Sequence, residues 1–227
     1  PLLLIAGAGS GKTRALTYRV ARLVEEGVPP ESILLLSFTR KASQEMVKRA
    51  IQLLDRRCRK VAGGTFHSFA HRILRRYHAS IGLSKNFSIL DRSDSEDLIG
   101  LIRKEVCPAA ETRDLPRKST LATIFSRSIN KGLPLEEILY EDYPHFGHQC
   151  DMIANLHEVY QLRKREHHFC DYDDLLTYLH QLLEGSTDIR DRLAAAYQYI
   201  LVDEYQDTNP VQYQLLESLV TEQHSLT

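Results

Sequence analysis

Net charge is almost absent from this 227-residue chain: 29 Lys and Arg stand against 30 Asp and Glu, leaving −1 with His neutral. That balance excludes a global basic signature for nucleic acid, so any such contact must come from local patches. The chain also lacks an apolar run of membrane-spanning length and a recognisable signal peptide, and the expected location is cytoplasmic, with no membrane partner. It lacks C-x-x-C pairs, so Cys58, Cys107, Cys150 and Cys170 read as reduced thiols. Internal repeats and low-complexity segments are missing too. The first residue is Pro1, set in an apolar run, where a complete chain would start with Met, so the chain reads as cut from something longer. What remains is ordinary globular composition, 43% hydrophobic and 26% charged, enough for one large domain or two small ones.

One stretch organises the rest. Leu2, Leu3, Leu4 and Ile5 read as a fully buried strand, followed by the small-residue loop Ala6-Gly7-Ala8-Gly9-Ser10-Gly11-Lys12-Thr13. An amphipathic helix follows, with Leu16, Val20, Leu23 and Val24 on one face. Glycines let successive backbone N–H groups turn inward around phosphate oxygens. The helix N-terminus adds the positive end of its dipole at the same place. In this arrangement Lys12 reaches the β and γ phosphates and the Thr13 hydroxyl ligates Mg²⁺. Ala6 stands where the strict pattern has Gly. The competing reading is a glycine-rich turn with an incidental Lys-Thr pair.

The order of elements predicts a parallel sheet covered by helices. Strands are expected at residues 33–38 and 61–66, with helices from about Ala42 to Asp55 and from His67 to about Ile81, closed by Gly82. From about Asp91 the pattern becomes helical throughout. Asp91 or Ser93 caps one helix, Pro108 and Pro116 flank a polar connector, Ser119 caps a helix ending before Gly132, and a long helix spans about Gln149 to His168. No convincing strand is expected in that region. Asp171 then caps a helix from Tyr172 to Glu184, a short helix follows Asp188, and residues 199–203 return to strand character. Asn209-Pro210 starts a last helix, from Val211 to about Gln223.

The second chemical signal is the apolar strand that ends in Asp203-Glu204. Beside a phosphate loop, Asp203 suits the Mg²⁺ hydration shell, and Glu204 is placed to orient and deprotonate an attacking water. An acidic strand-to-loop turn without chemistry is the alternative. Taken on their own, these residues point to a magnesium-dependent NTPase.

Four segments occur in order: residues 6–13, Ser37-Phe38-Thr39-Arg40-Lys41-Ala42-Ser43-Gln44-Glu45-Met46, Gly64-Thr65-Phe66-His67-Ser68-Phe69-Ala70-His71 and Val202-Asp203-Glu204-Tyr205-Gln206-Asp207-Thr208-Asn209. Together they resemble the UvrD/Rep family of superfamily 1 DNA helicases, as does Asp171-Tyr172-Asp173-Asp174-Leu175-Leu176. The resemblance covers nearly the whole chain. It implies a RecA-like P-loop NTPase domain in two parts, residues 1–88 and 171–227, interrupted by an inserted all-helical subdomain at residues 89–170. It also implies ATP and Mg²⁺ as cofactors, single-stranded DNA as partner, and a second motor domain of the same chain beyond Thr227.

The resemblance assigns roles residue by residue. Gln206 matches a glutamine near the γ-phosphate and water, and Arg14 a position that packs against adenine, a task that suits a guanidinium plane. Phe38, Thr39 and Arg40 match one DNA-touching motif, and Thr65, Phe66, His67 and Ser68 another. Arg40 stands where the family often has Asn. Strand ends of an open parallel sheet are where ligands bind, and phenylalanine faces can stack bases without sequence preference. Ordinary core packing is the competing reading for Phe38 and Phe66. The implied activity is 3′→5′ movement on single-stranded DNA driven by ATP, with a role in repair or replication. Alternatives are the motor of a helicase–nuclease recombination subunit, an ATP- and DNA-binding switch without unwinding, and, more distantly, a small-molecule kinase. The basic clusters around Arg56 to Lys60, Arg72 to Arg76 and Arg163 to Arg165 read equally well as phosphate contacts or solvated helix faces. A zinc site at His67 and His71, or at His167, His168 and Cys170, lacks the usual ligand spacing.

Overall fold

The computed structural model describes residues 2–5, 7, 9–107, 114–220 and 225–227. In chain order the regular elements are α1 (Lys12–Glu25), β1 (Ile33–Ser37), α2 (Arg40–Leu53), β2 (Ala62–Thr65), α3 (Phe66–Tyr77), β3 (Ser88–Ile89), α4 (Arg92–Val106) and α5 (Lys118–Lys131). They continue with α6 (Leu135–Asp142), α7 (Cys150–Glu166), β4 (Phe169–Cys170), α8 (Tyr172–Gly185), α9 (Thr187–Ala196), β5 (Tyr199–Val202), α10 (Pro210–Leu219) and β6 (Ser225–Leu226). The chain divides into two compact units: Pro1–Ile73 with Leu179–Thr208 and Gln212–Thr227, and Leu74–Tyr178 with Asn209–Val211.

The first unit is built on a four-stranded parallel sheet in the order β2-β1-β5-β6. β1 is central and buried along its whole length, which is what an uninterrupted Ile-Leu-Leu-Leu run requires of a strand covered on both faces. Leu16, Val20, Leu23 and Val24 of α1 pack with Ile33, Leu35, Met46, Ala50, Cys58 and Leu201 in one apolar cluster. The register pairs Ser37 with Thr65 and Leu36 with Val202, so three strands end level with one another. The Asp203 N–H extends that ladder by donating to the Leu36 carbonyl at 2.9 Å.

Residues 2–5 correct the expected buried first strand. They form no strand, and their side chains are exposed, Ile5 to 88%. Among the described residues, one backbone hydrogen bond joins them to the sheet, from Leu2 N–H to the Leu226 carbonyl at 2.7 Å. A single bond to a two-residue strand does not make a ladder, and a short apolar run alone does not specify one.

The second unit is helical around Ile99, Ile102, Leu121, Ile124, Phe125, Ile138, Leu139, Ile153, Leu156 and Tyr160. A two-residue parallel pair, β3 with β4, also lies here, where no strand was expected. Its ladder is too short to leave a period-2 signal in the sequence. α6 was not expected either; its eight residues follow Pro134 too closely to separate from the surrounding turns. Thr39 caps α2 and Ser186 caps α9, so both helices start before the expected positions, and Arg117 rather than Ser119 precedes α5. α10 ends at Leu219; Gln223 and Pro108 lie outside the described residues.

The N-terminus of α8 rests on a buried charge cluster. Lys164 of α7 has no exposed surface, and its Nζ lies 2.6 Å from Asp171 Oδ2 and 2.7 Å from Asp174 Oδ2. Asp171 and Asp174 form a capping box, each carboxylate accepting the other's backbone N–H at 2.9 Å. Tyr160 donates its hydroxyl to Asp171 Oδ2 at 3.0 Å. Burial, together with the Asp171 charge, pushes the Asp174 carboxyl up to about 6. Burial acts the same way on Asp171, but the Lys164 ammonium outweighs it and holds that carboxyl below its usual range.

Candidate functional site

The candidate site is assembled at the carboxyl edge of the first unit's sheet, where the level strand ends discharge into loops. Gly9 and Gly11 both adopt the left-handed conformation, with φ of 76° and 91°, and Gly11 is the N-cap of α1. A side chain at either would be strained, which explains the glycines of the loop. Ser10 closes the turn by donating its hydroxyl to the Gly7 carbonyl at 2.6 Å. Lys12 and Thr13 open the helix, so the positive end of the α1 dipole lies beside the loop. Ala6 and Ala8 lie outside the described residues.

Asp203 leaves the end of β5 almost fully buried, 4% exposed, and its carboxylate accepts a hydrogen bond from Thr13. Burial and the neighbouring Glu204 charge raise its carboxyl above the ordinary value, while Lys12 and Thr13 pull the other way. A buried carboxylate with a hydroxyl on it is a hard-oxygen pair of the kind a small divalent cation takes. Glu204 follows in the left-handed region at φ 53°, one of two non-glycine residues with positive φ among those described. Such a backbone costs of order 1–3 kcal/mol and persists only where the surroundings impose it. Gln206 Nε2 donates to Glu204 Oε2 at 2.6 Å. Lys12, Asp203, Glu204 and Gln206 share the wall of one cavity of about 800 Å³, with residues 2–5 on another side, a volume within the range of small-molecule sites. Arg14 does not line it. Its guanidinium lies over the Tyr18 ring, 5.4 Å from the centroid.

The two expected DNA-touching segments meet next to each other, because β1 and β2 are neighbours. Phe38 is 36% exposed, while Phe66 is 3% exposed, and the ring centroids lie 6.2 Å apart. Phe66 therefore packs as core and braces Phe38. Thr39 Oγ1 accepts the Ala42 N–H at 3.1 Å, and Arg40 opens α2 with its side chain exposed. Thr65 and Ser68 are locked reciprocally: Thr65 N–H donates to Ser68 Oγ at 2.8 Å and Ser68 N–H to Thr65 Oγ1 at 3.1 Å. His67 is half-buried beside them. Sequence reasoning passed over Gly64, where a Cβ would lie 2.5 Å from Ser68 Oγ. The Gly-Thr-x-x-Ser spacing was the available signal.

The basic clusters mostly do structural work. Arg57 pairs with Asp55, Lys60 with Glu31 and Arg163 with Glu105. Arg75 donates to the Lys85 and Phe87 carbonyls and lies 4.0 Å over the Phe87 ring. Among the described residues, no three His, Cys, Asp or Glu are gathered to hold a metal.

Against known proteins, the profile of the UvrD/REP helicase N-terminal domain matches residues 1–227. ATP-dependent DNA helicase PcrA of Bacillus subtilis (strain 168) is 38% identical over 220 residues, covering 96% of this chain and 29% of that protein. PcrA of Leuconostoc citreum is 36% identical over 230 residues, covering 100% of this chain and 30% of that protein. PcrA of Staphylococcus epidermidis (strain ATCC 35984) is 37% identical over 221 residues, covering 96% and 29%. The chain thus spans about three-tenths of the length of these curated relatives. A glycine loop capping α1, an acidic pair at the end of β5 and a match running the full length together mean that this chain belongs to the UvrD/REP helicase N-terminal domain family.

Proposed function

We propose that this chain is the ATP-binding motor part of an ATP-dependent DNA helicase that moves 3′→5′ on single-stranded DNA. The observation that carries the reading is the Thr13 hydroxyl on the Asp203 carboxylate, with Lys12, Glu204 and Gln206 around the same cavity. In this reading residues 1–88 and 171–227 are a RecA-like P-loop domain, and residues 89–170 are an inserted helical subdomain. The remaining partner is a second motor domain of the same chain.

Residues 6–13 cradle the phosphates of ATP through backbone N–H groups, and Lys12 places its charge on the β and γ phosphoryl oxygens. Thr13 and Asp203 would hold Mg²⁺, which neutralises charge building on those oxygens. Glu204 accepts the proton of the attacking water, and Gln206 orients that water and the Glu204 carboxylate. Arg14 offers its guanidinium plane to the adenine after leaving Tyr18. Phe38 presents a ring on which bases stack, while Thr39, Arg40, Thr65, His67 and Ser68 offer polar contacts to the strand. Phe66 serves by holding Phe38 in place.

The test is ATP hydrolysis by the intact gene product, with and without single-stranded DNA. Strong stimulation by DNA, lost in Lys12→Ala and Glu204→Gln, is the expected result. Hydrolysis indifferent to DNA would sink the helicase reading. Nucleotide binding with no hydrolysis would favour a switch.

A further inference from the structure

Glu204, Tyr205 and Gln206 are consecutive, yet all three line the cavity that Lys12 and Asp203 also line. An extended strand would send alternate side chains to opposite faces. The chain instead turns directly after Asp203, whose N–H still donates to the Leu36 carbonyl. Glu204 takes the left-handed conformation, with φ 53° and ψ 44°, and Tyr205–Asp207 follow as a single 3-10 turn. Asp207 N–H donates to the Glu204 carbonyl at 2.9 Å, and Thr208 N–H to the Tyr205 carbonyl at 3.1 Å. The Tyr205 carbonyl takes a second and shorter bond, from the Thr208 hydroxyl at 2.7 Å. A carbonyl oxygen has two lone pairs, so both bonds stand together. Thr208 belongs to the same compact unit as the sheet. It is half-buried and is not one of the residues that line the cavity.

We propose that Thr208 is a positioning residue for ATP hydrolysis: its hydroxyl closes the acidic turn on the Tyr205 carbonyl and so keeps Glu204 and Gln206 together, aimed at the attacking water. The inference rests on the hydrolase reading given above. Its physical basis is the left-handed backbone of Glu204. That conformation is unfavourable for a residue with a Cβ and persists only where the surroundings impose it. Relaxing Glu204 to extended backbone would open the turn and part its carboxylate from the Gln206 amide, now 2.6 Å away. Among the described residues, removing the Thr208 hydroxyl leaves the turn closed by its two backbone N–H groups. Each such bond is modest in net terms, because water competes for the same groups once the turn opens. The hydroxyl adds a third bond at little entropic cost, since the β-branched side chain is already restricted at χ1. Thr208 acts through the turn and not on the nucleotide.

The experiment uses the intact gene product and two readouts. The first is hydrogen exchange at the Asp207 amide, which reports on the turn without any activity. The second is steady-state hydrolysis. Thr208→Val keeps the shape of the side chain and the backbone N–H but removes the hydroxyl; Thr208→Ser keeps the hydroxyl. In Thr208→Val the Asp207 amide is expected to exchange faster. The kcat is expected to fall about tenfold with the KM for ATP and the melting temperature held, since misplacement of catalytic groups by a change away from the chemistry costs that much or more. Thr208→Ser should restore slow exchange and most of the kcat. Unchanged exchange or unchanged kcat in Thr208→Val overturns the proposal. A serine variant as impaired as the valine variant overturns it as well, because the methyl group and not the hydroxyl then matters. A joint loss of kcat, ATP affinity and melting temperature leaves a merely structural contact and also overturns it. An unmutated protein that hydrolyses no ATP removes the positioning role by removing the hydrolase reading, and faster exchange in Thr208→Val then shows that the clamp itself stands.

Discussion

Gly64 is one residue on which the local geometry depends. Ser68 Oγ occupies the space a Cβ would need, and it is held there by the Thr65 N–H and by its own donation to the Thr65 carbonyl at 2.9 Å. The hydroxyl cannot step aside without breaking both bonds. Gly64→Ala is expected to cost about 1–3 kcal/mol, in the range of overpacked sites, read as a lower urea midpoint. Glu204 is the other such residue. Glu204→Gln keeps the shape of the side chain and its bond with Gln206 but removes the base, so hydrolysis should fall at least about a hundredfold while a fluorescent ATP analogue still binds. Equal hydrolysis by this variant would take the general base away from Glu204. Both residues sit in motifs visible in the sequence. What the sequence did not carry was their conformation: neither the left-handed Glu204 backbone nor the contact beneath Gly64 follows from residue type.

At the scale of elements, the start of α8 shows how a charge run can mislead. Arg163, Lys164 and Arg165 read as one basic cluster, yet the middle residue is buried on two carboxylates that also cap the next helix. Helical periodicity turns neighbouring residues by about 100°, so one of three can face inward while the others stay wet. Lys164→Met leaves two carboxylates facing each other without their cation and is expected to cost about 3–5 kcal/mol, as for a broken buried pair, measured by chemical denaturation. The same cluster sets a pH response. Asp174 has a folded value of about 6 against an ordinary 3.8. Between those values the folded chain holds more protons than the unfolded one, so this group's contribution to stability is present below the ordinary value and is lost as pH rises through about 6. His157, half-buried against Phe125, acts in the opposite sense. Burial first, and Lys164 second, depress it to about 4 from 6.5, so its contribution is lost as pH falls. Asp174→Asn removes the first contribution. The slope of unfolding free energy against pH, between about 4 and 6, should become more positive than in the unmutated protein. An unchanged slope would mean that Asp174 titrates normally.

For the whole molecule, the parallel sheet ties the distant segments together. Residues near 12, 38, 65 and 203 are far apart in the chain, and the pairing of β1 with both β2 and β5 brings their strand ends level. A nucleotide that bridges α1 and the end of β5 should therefore stabilise the first unit as a body. At about a hundred times its dissociation constant, Mg-ATP is expected to add about 2.7 kcal/mol, seen as a rise in melting temperature that Lys12→Ala abolishes. No rise at saturating nucleotide would argue against the cavity as the binding site.

Sequence by itself determined the family and the order of its motifs, and it predicted β1, β2, β5 and the helices between them other than α6. Those features are local: an apolar run, a glycine at a turn, a carboxylate after a strand each follow from a few adjacent residues. Only the tertiary structure decided that residues 2–5 lie exposed beside the cavity, that Phe66 is core while Phe38 is open, and that Lys164 is buried. Each of these depends on what a side chain meets from another part of the chain, and a single sequence does not encode such pairings in any local pattern.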